Sequence, residues 1–384
     1  MRAQYLSRLA AMGIAIAYLL VPIDAFANEQ LRHRELTYCV YHIGSLVTPN
    51  FGSGTRAINN ANQVIGWTSP VSDTGIIRSF IWDPRHGMRD LGTIPGHDVT
   101  VADDINDRGT VVGVSYQSLP PYEQRSFAWD SRSQIHELEI PLFPDANNAA
   151  TGINNKGQIS GTIDGSFHGY VLNPNGEAID LGMLPGSASM GGPSDINDAG
   201  VVVGGSATSE VDSNAFIWSR REGLRLLTTL PDGWIATWAS AINNRGQVVG
   251  PLQTPAGPDV YLWSRSDGLQ ALGLGRLGDF SNINDAGQAV GSFLAPEMPG
   301  GSAGFLWDRI NGFRDLNELR DVSSPIGSEI AIALGSGIND AGWIAAIGQN
   351  QEFTEHYALV LVPRRRGPDH AKSDRGCPDS PDDH

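Results

Sequence analysis

The side chains able to do chemistry in this 384-residue chain are 42 carboxylates, nine histidines and two cysteines, set against 26 Lys and Arg. General acid-base work needs two carboxylates in one cleft with their pKa values pushed apart, and no local spacing singles out such a pair. The histidines are scattered without metal-ligand spacing, and His168 is the first to inspect. GxSxG, SxxK, HExxH and phosphate-loop patterns are absent. The stretch Asp103-Asp104-Ile105-Asn106-Asp107-Arg108-Gly109 is rich in oxygen donors. It lacks the later bidentate Glu and the flanking helices of a calcium loop. No cofactor or metal is expected. Cys39 falls in a strand-like run and Cys377 in a polar tail, with no CxxC. In the oxidising compartment of an exported protein the two could pair, but nothing in the sequence places them within bonding distance, so a bridge is left open.

The net charge of -16 repels phosphate backbones and anionic lipid surfaces, which removes nucleic acid from the expected partners. Arg2 and Arg8 precede an uncharged apolar run, Leu9 to Ile23, and Ala25-Phe26-Ala27 follows it. That run is too short to cross a bilayer as a helix, and the small-x-small tripeptide suits a signal peptidase. Residues 1–27 are therefore expected to be a signal peptide cleaved after Ala27, leaving a secreted or periplasmic protein without a membrane anchor. Loss of Arg2, Arg8 and Asp24 makes the mature chain one unit more negative.

The elements that must position any site are set by a repeat. Ile-Asn-[Asn/Asp]-x-[Gly/Asn] begins at Ile58, Ile105, Ile153, Ile196, Ile242, Ile283 and Ile338, at intervals of 41 to 55 residues. Between β-prone runs this peptide reads as a tight hairpin turn, with Gly, or Asn62 in the first copy, taking a positive φ. A small residue follows four positions on (Gly66, Gly113, Gly161, Gly204, Gly250, Gly291 and Ala346). Next comes an aromatic strand such as Ser79-Phe80-Ile81-Trp82 or Ala215-Phe216-Ile217-Trp218. Its rings are expected to fill seams between units. A short fourth strand such as Met88-Arg89-Asp90-Leu91 closes each unit except the seventh. The missing strand is supplied by Leu36 to Leu46 at the start of the mature chain. The expected fold is all-β, a seven-bladed β-propeller of four-stranded blades over residues 28–363, closed by that N-terminal strand. Residues 364–384 read as a disordered polar tail.

These units resemble the HAF repeats of predicted extracellular bacterial proteins: Ile-Asn-Asp-x-Gly-x-Val-Val-Gly, then Ala-Phe-Ile-Trp, then Asp-Leu-Gly, over roughly residues 36 to 363. The resemblance implies export and a β-rich repeat, and brings no activity with it. The chain departs from those relatives that end in a sorting tail with a membrane helix, since Arg364-Arg365-Arg366 leads into a Pro- and Asp-rich stretch.

In such a blade the turns between strands one and two and between three and four share one rim. The longer, dissimilar connections share the other, where binding residues are commonly mounted. Those connections carry Trp67, Tyr116, Tyr122, Phe167, His168, Trp234, Trp238, Phe293 and Phe353, with Asp73, Asp98, Asp145, Asp212, Asp232 and Glu297 beside them. From these, Trp67, Tyr116, Tyr122, His168, Trp234, Trp238 and Phe293 are the candidate binding residues, Trp234 and Trp238 foremost because one loop holds both. The expected role is a monomeric binding module for an extracellular polysaccharide or protein. A glycan hydrolase or lyase using carboxylates at the channel mouth, and a structural surface protein, are the alternatives.

Overall fold

The computed structural model describes residues 36–46, 50–70, 77–163, 168–184, 189–207, 213–228, 230–276, 278–298, 301–326, 329–352, 354–365 and 376–383. The expected signal peptide, Phe167, Phe353, Asp73 and Asp212 lie outside them. Thr37–Arg364 together with Arg375–His384 form one compact body.

Each repeat folds into a sheet of antiparallel neighbours in chain order. The second is typical, with strands Val99–Ile105, Val111–Tyr116, Gln124–Asp130 and Gln134–Glu137. In the fifth repeat the first strand is broken into Ile235–Ala236 and Ala241–Ile242, both paired with Val248–Thr254. In the seventh, Ile330–Ile338, Ile344–Asn350 and His356–Arg365 are followed in space by Leu36–His42, which pairs with His356–Arg365. The same sheet continues through one parallel pair, Gly52 with His356, into the strands of the first repeat.

Alternation along the strands decides where the core lies, because successive side chains point to opposite faces and both faces are covered. In the first repeat Val64, Phe80 and Trp82 pack with Cys39, Tyr41, Ala358 and Val360. Their chain neighbours Ile65 and Ile81, with Leu91, pack with Ala102, Ile105, Phe127 and Trp129 of the second repeat. Further seams of this kind join the second to the third, the third to the fourth, the fourth to the fifth and the fifth to the sixth repeats. Each fully buried Phe or Trp contributes about 1.5–3 kcal/mol, so the aromatic strand supplies much of each seam.

The Ile-Asn peptides form the expected turns. Asn62 has φ 58° and Gly109 φ 78°, the left-handed conformation that the first copy's Asn tolerates. The second glycine has a different reason: a Cβ on Gly113 would lie 2.1 Å from the Val101 carbonyl oxygen on the neighbouring inner strand.

At the C-terminal end one open question is answered and one expectation is revised. Cys39 and Cys377 are joined in a disulfide. The last strand runs through Arg365, and residues 376–383 dock rather than trail free: the Cys377 N–H donates to Ser323 Oγ at 2.7 Å and the Tyr41 hydroxyl donates to the Pro378 carbonyl at 3.0 Å. A local reading of the tail saw only polar composition, whereas its docking depends on partners more than 50 residues away in sequence.

Candidate functional site

The seven Ile-Asn turns converge on one hollow of about 140 Å³ to which every repeat contributes. The first Asn of each turn does two jobs. Its Oδ1 accepts turn N–H groups, as Asn154 does from Lys156 at 3.0 Å and Gln158 at 2.9 Å. Its Nδ2 donates to the carbonyl of the corresponding Asn in the next repeat. These bonds run from Asn59 to Asn106, Asn154, Asn197, Asn243, Asn284 and Asn339, and Asn339 returns to Asn59. All seven of these asparagines are at most 5% exposed. A second circuit lies beside the first. The backbone N–H of Asn60, Asp107, Asn155, Asp198, Asn244, Asp285 and Asp340 donates in each case to the side chain of the next in that order, Asp340 returning to Asn60.

Behind these circuits the residue before Ile takes part in every second seam. Asp104 accepts from Ile105 N–H and from Ile153 N–H of the next repeat, both at 2.8 Å. Asp195 does the same with Ile196 at 2.7 Å and Ile242 at 2.8 Å. Asn282 stands at this position in the sixth repeat and accepts from Ile338 N–H at 3.4 Å. Burial, reinforced by the neighbouring Asp195 charge, pushes the Asp104 carboxyl up to about 8. Burial likewise raises Asp195. The pair holds a proton through neutral pH.

The sign of the resulting pH dependence follows. A carboxyl raised in the folded state keeps a proton that the unfolded chain has lost, so its stabilisation is complete below about pH 4 and disappears as pH rises through about 8. The parent protein should lose up to about 1.4 kcal/mol per pH unit within that window from this pair. Asp104→Asn, which copies the sixth repeat but leaves one of the two backbone N–H groups without an acceptor, should lie below the parent at pH 4.5 and flatten the profile. Urea unfolding from pH 4.5 to 8.5 checks it, and parallel profiles for the two proteins would refute it.

Two other carboxylates are raised. Asp103, raised by burial, faces Arg56 at 3.1 Å. Asp279 is crowded by protein atoms while keeping a solvent-facing edge; burial raises it to about 6, against the pull of its hydrogen bond from Ser240 at 2.9 Å.

The sequence-derived binding residues are spread around the long connections. Trp67 is half-buried over Gly54 and 6.3 Å from the His356 ring. Tyr116 ends its strand half-buried. Tyr122 is 60% exposed at a loop tip beside Leu119, which is 71% exposed. His168 pairs with Asp180 at 2.9 Å and leans on Phe143. Trp234 packs against the core between the fourth and fifth repeats. Trp238 donates its indole N–H to Ser194 Oγ at 2.5 Å and lies flush on Gly205, where a Cβ would come within 2.0 Å of the ring. Phe293 sits under the Arg276 guanidinium, 5.3 Å from it. Among the described residues no hydrogen bond or ring contact joins any two of these seven side chains. Of the flanking acids, Asp98 is held below the usual carboxylate range, first by the Ser118 hydroxyl and then by the Ser118 N–H. Glu297 lies 3.9 Å from Arg276. Among the described residues there is no group of three or more His, Cys, Asp or Glu able to hold a metal ion. No described helix is long and apolar enough to cross a membrane.

This architecture has counterparts among solved structures. A streptogramin B lyase superposes with TM-score 0.52 at 11% identity, over 85% of this chain and 98% of its own. A catalytically inactive virginiamycin B lyase from Staphylococcus aureus with quinupristin gives 0.53 at 12%, over 85% and 99%. An oligogalacturonate lyase in complex with manganese gives 0.52 at 10%, over 87% and 92%. The fold is β-propeller-like. At these identities the likeness carries the fold and not the chemistry. No protein-family model and no curated protein matches the chain.

Sequence reasoning missed the asparagine circuit, because the turn alone accounts for Asn at that position. The signal was available: the residue after Ile is Asn in all seven copies, while the next is Asn in three and Asp in four. A site that must donate requires Asn, whereas one that need only accept takes either.

Proposed function

We propose that this chain is an exported, closed, seven-bladed β-propeller of the HAF-repeat type that binds an extracellular polysaccharide or protein through its long connections. Closure is supported by the asparagine circuit, which returns to its start after seven bonds, and by the pairing of Leu36–His42 with His356–Arg365. Export is supported by the N-terminal charge and hydropathy pattern and by the disulfide, a bond that persists in oxidising compartments.

The observation that carries the binding reading is how the buried carboxylates are used. Each oxygen of Asp104 and Asp195 accepts a backbone N–H across or within a seam, so these acids serve assembly rather than turnover. The exposed apolar tip, Leu119 and Tyr122, stands instead on a long connection, where a tyrosine presents a flat, amphipathic contact surface. The purified protein is expected to bind saturably to members of an immobilised bacterial and host glycan panel. Tyr122→Ala should weaken that binding at least about tenfold, because a truncated aromatic anchor typically costs 2 kcal/mol or more. Unchanged binding in the variant would remove the tip from the ligand face.

One observation favours a lyase or hydrolase reading: the Asp279 carboxyl, held at about 6, is poised for proton transfer near neutral pH. Its solved neighbours include an oligogalacturonate lyase. Release of unsaturated or reducing sugar fragments from the same panel, lost in Asp279→Asn, would establish it over binding alone.

A further inference from the structure

At the opposite end from the long connections, a hollow of about 450 Å³ opens between the fourth and fifth repeats. Its floor is apolar, formed by Val201, Ile217 and Trp263, which belong to the core between those two repeats. Its rim is cationic, with Arg225, Arg245 and Arg265 against the single carboxylate Glu222. That carboxylate is already engaged: Arg265 grips both of its oxygens at 3.0 and 2.8 Å, and Arg221 and Arg225 add contacts at 2.8 and 3.3 Å. The Arg245 guanidinium makes no hydrogen bond or ion pair among the described residues. In a chain of net charge -16 this is a local excess of positive charge over an aromatic floor.

The seam between the first and second repeats shows what the hollow replaces. There Arg89, paired across the sheet with Ile81, reaches over the indole of Trp129, 5.9 Å from its centroid. Arg225 has the same register, opposite Ile217, but its guanidinium is drawn to Glu222 and makes no such contact with Trp263. A flat group that the protein supplies at one seam is thus withheld at the other, and the space stays open. Pockets of this size with apolar walls and a few convergent polar groups hold small molecules.

We propose that this hollow binds a flat, apolar small molecule bearing one carboxylate, its ring system lying along Trp263 and its carboxylate paired with Arg245. Guanidinium matches carboxylate in a planar, two-bond geometry, and with Arg225 and Arg265 engaged by Glu222 it is Arg245 that is left to take the ligand's charge.

The probe is 2-naphthoate, titrated calorimetrically into the purified protein beside its neutral analogue 2-naphthylmethanol. Saturable naphthoate binding is expected, with 2-naphthylmethanol weaker. Arg245→Gln should weaken naphthoate about tenfold or more while leaving the alcohol and the melting temperature unchanged, since Arg245 is an exposed turn residue. Arg108→Gln, at the same position of the second repeat, should change neither. No saturable naphthoate binding to the parent, or equal affinity in Arg245→Gln, would overturn the proposal.

Discussion

Replacing Asn154 with Ala is expected to destabilise the protein by roughly 3–4 kcal/mol, at the upper end of single-substitution effects. Three functions are lost together at a side chain only 4% exposed. The Lys156 and Gln158 N–H groups lose their acceptor, and Gln158 Oε1 loses its donor at 2.9 Å. The Asn197 carbonyl of the next repeat also loses its donor at 2.9 Å. A buried acceptor without a partner costs about 1–3 kcal/mol in its own right. Asn154→Asp separates the turn from the seam, because it keeps the acceptor oxygens and the shape but turns a donor into an anion facing a carbonyl. Its carboxyl should therefore be raised in the folded state, since the protonated form can donate to Asn197. Raised means that stability is present at low pH and lost as pH increases. The aspartate variant should approach the parent near pH 4 and fall well below it at pH 7 in urea unfolding. A loss under 1 kcal/mol in the alanine variant would mean that the circuit decorates the seams without holding them.

The same residue shows why part of this architecture could be read from sequence and part could not. Periodicity and turn chemistry are local properties. The recurrence of Ile-Asn, the positive φ at Asn62 and Gly109, and the burial of Phe80, Trp82, Phe127 and Trp129 follow from residue types a few positions apart. The pairing of Leu36–His42 with His356–Arg365 was legible because the N-terminal strand looks like a fourth strand without three predecessors. What escaped is what only the assembled sheets create. Asp104 reads as a surface acid in a polar turn until the third repeat's Ile153 N–H meets it and Asp195 raises its pKa. The hollow beside Trp263 is lined by residues of two repeats, Arg225 and Glu222 from one and Arg245 and Arg265 from the next, a juxtaposition that spacing does not encode. Trp234 and Trp238 share a loop, yet shared sequence did not mean shared exposure. One packs into the seam below it, and the other lies on Gly205 of the preceding repeat.

Reducing the Cys39–Cys377 disulfide should cost about 3–5 kcal/mol, the other large effect expected here. The bridge spans 338 residues, nearly the whole folded chain. In the chain-entropy account the stabilisation grows with the logarithm of the loop it closes, and a loop of this length stands near the top of the range. Its placement adds a structural consequence. Cys39 is fully buried at the centre of Leu36–His42, the strand paired with His356–Arg365. Around it, the Tyr38 N–H donates to the Leu319 carbonyl at 2.8 Å, and the Asp321 N–H donates back to the Tyr38 carbonyl at 2.8 Å. The tail segment at Cys377 is tied to Ser323 on the same connection. The bridge thus fastens the strand that arrives from the far end of the chain, where no covalent turn holds it against His356–Arg365. Reduction should lower the urea midpoint and, in hydrogen exchange, release Leu36–His42 before the strands of the second to sixth repeats. Cys39→Ser/Cys377→Ser should reproduce both changes and be indifferent to reductant. Loss of protection spread evenly over all repeats would show instead that the bridge acts only through the unfolded chain, without any special hold on Leu36–His42.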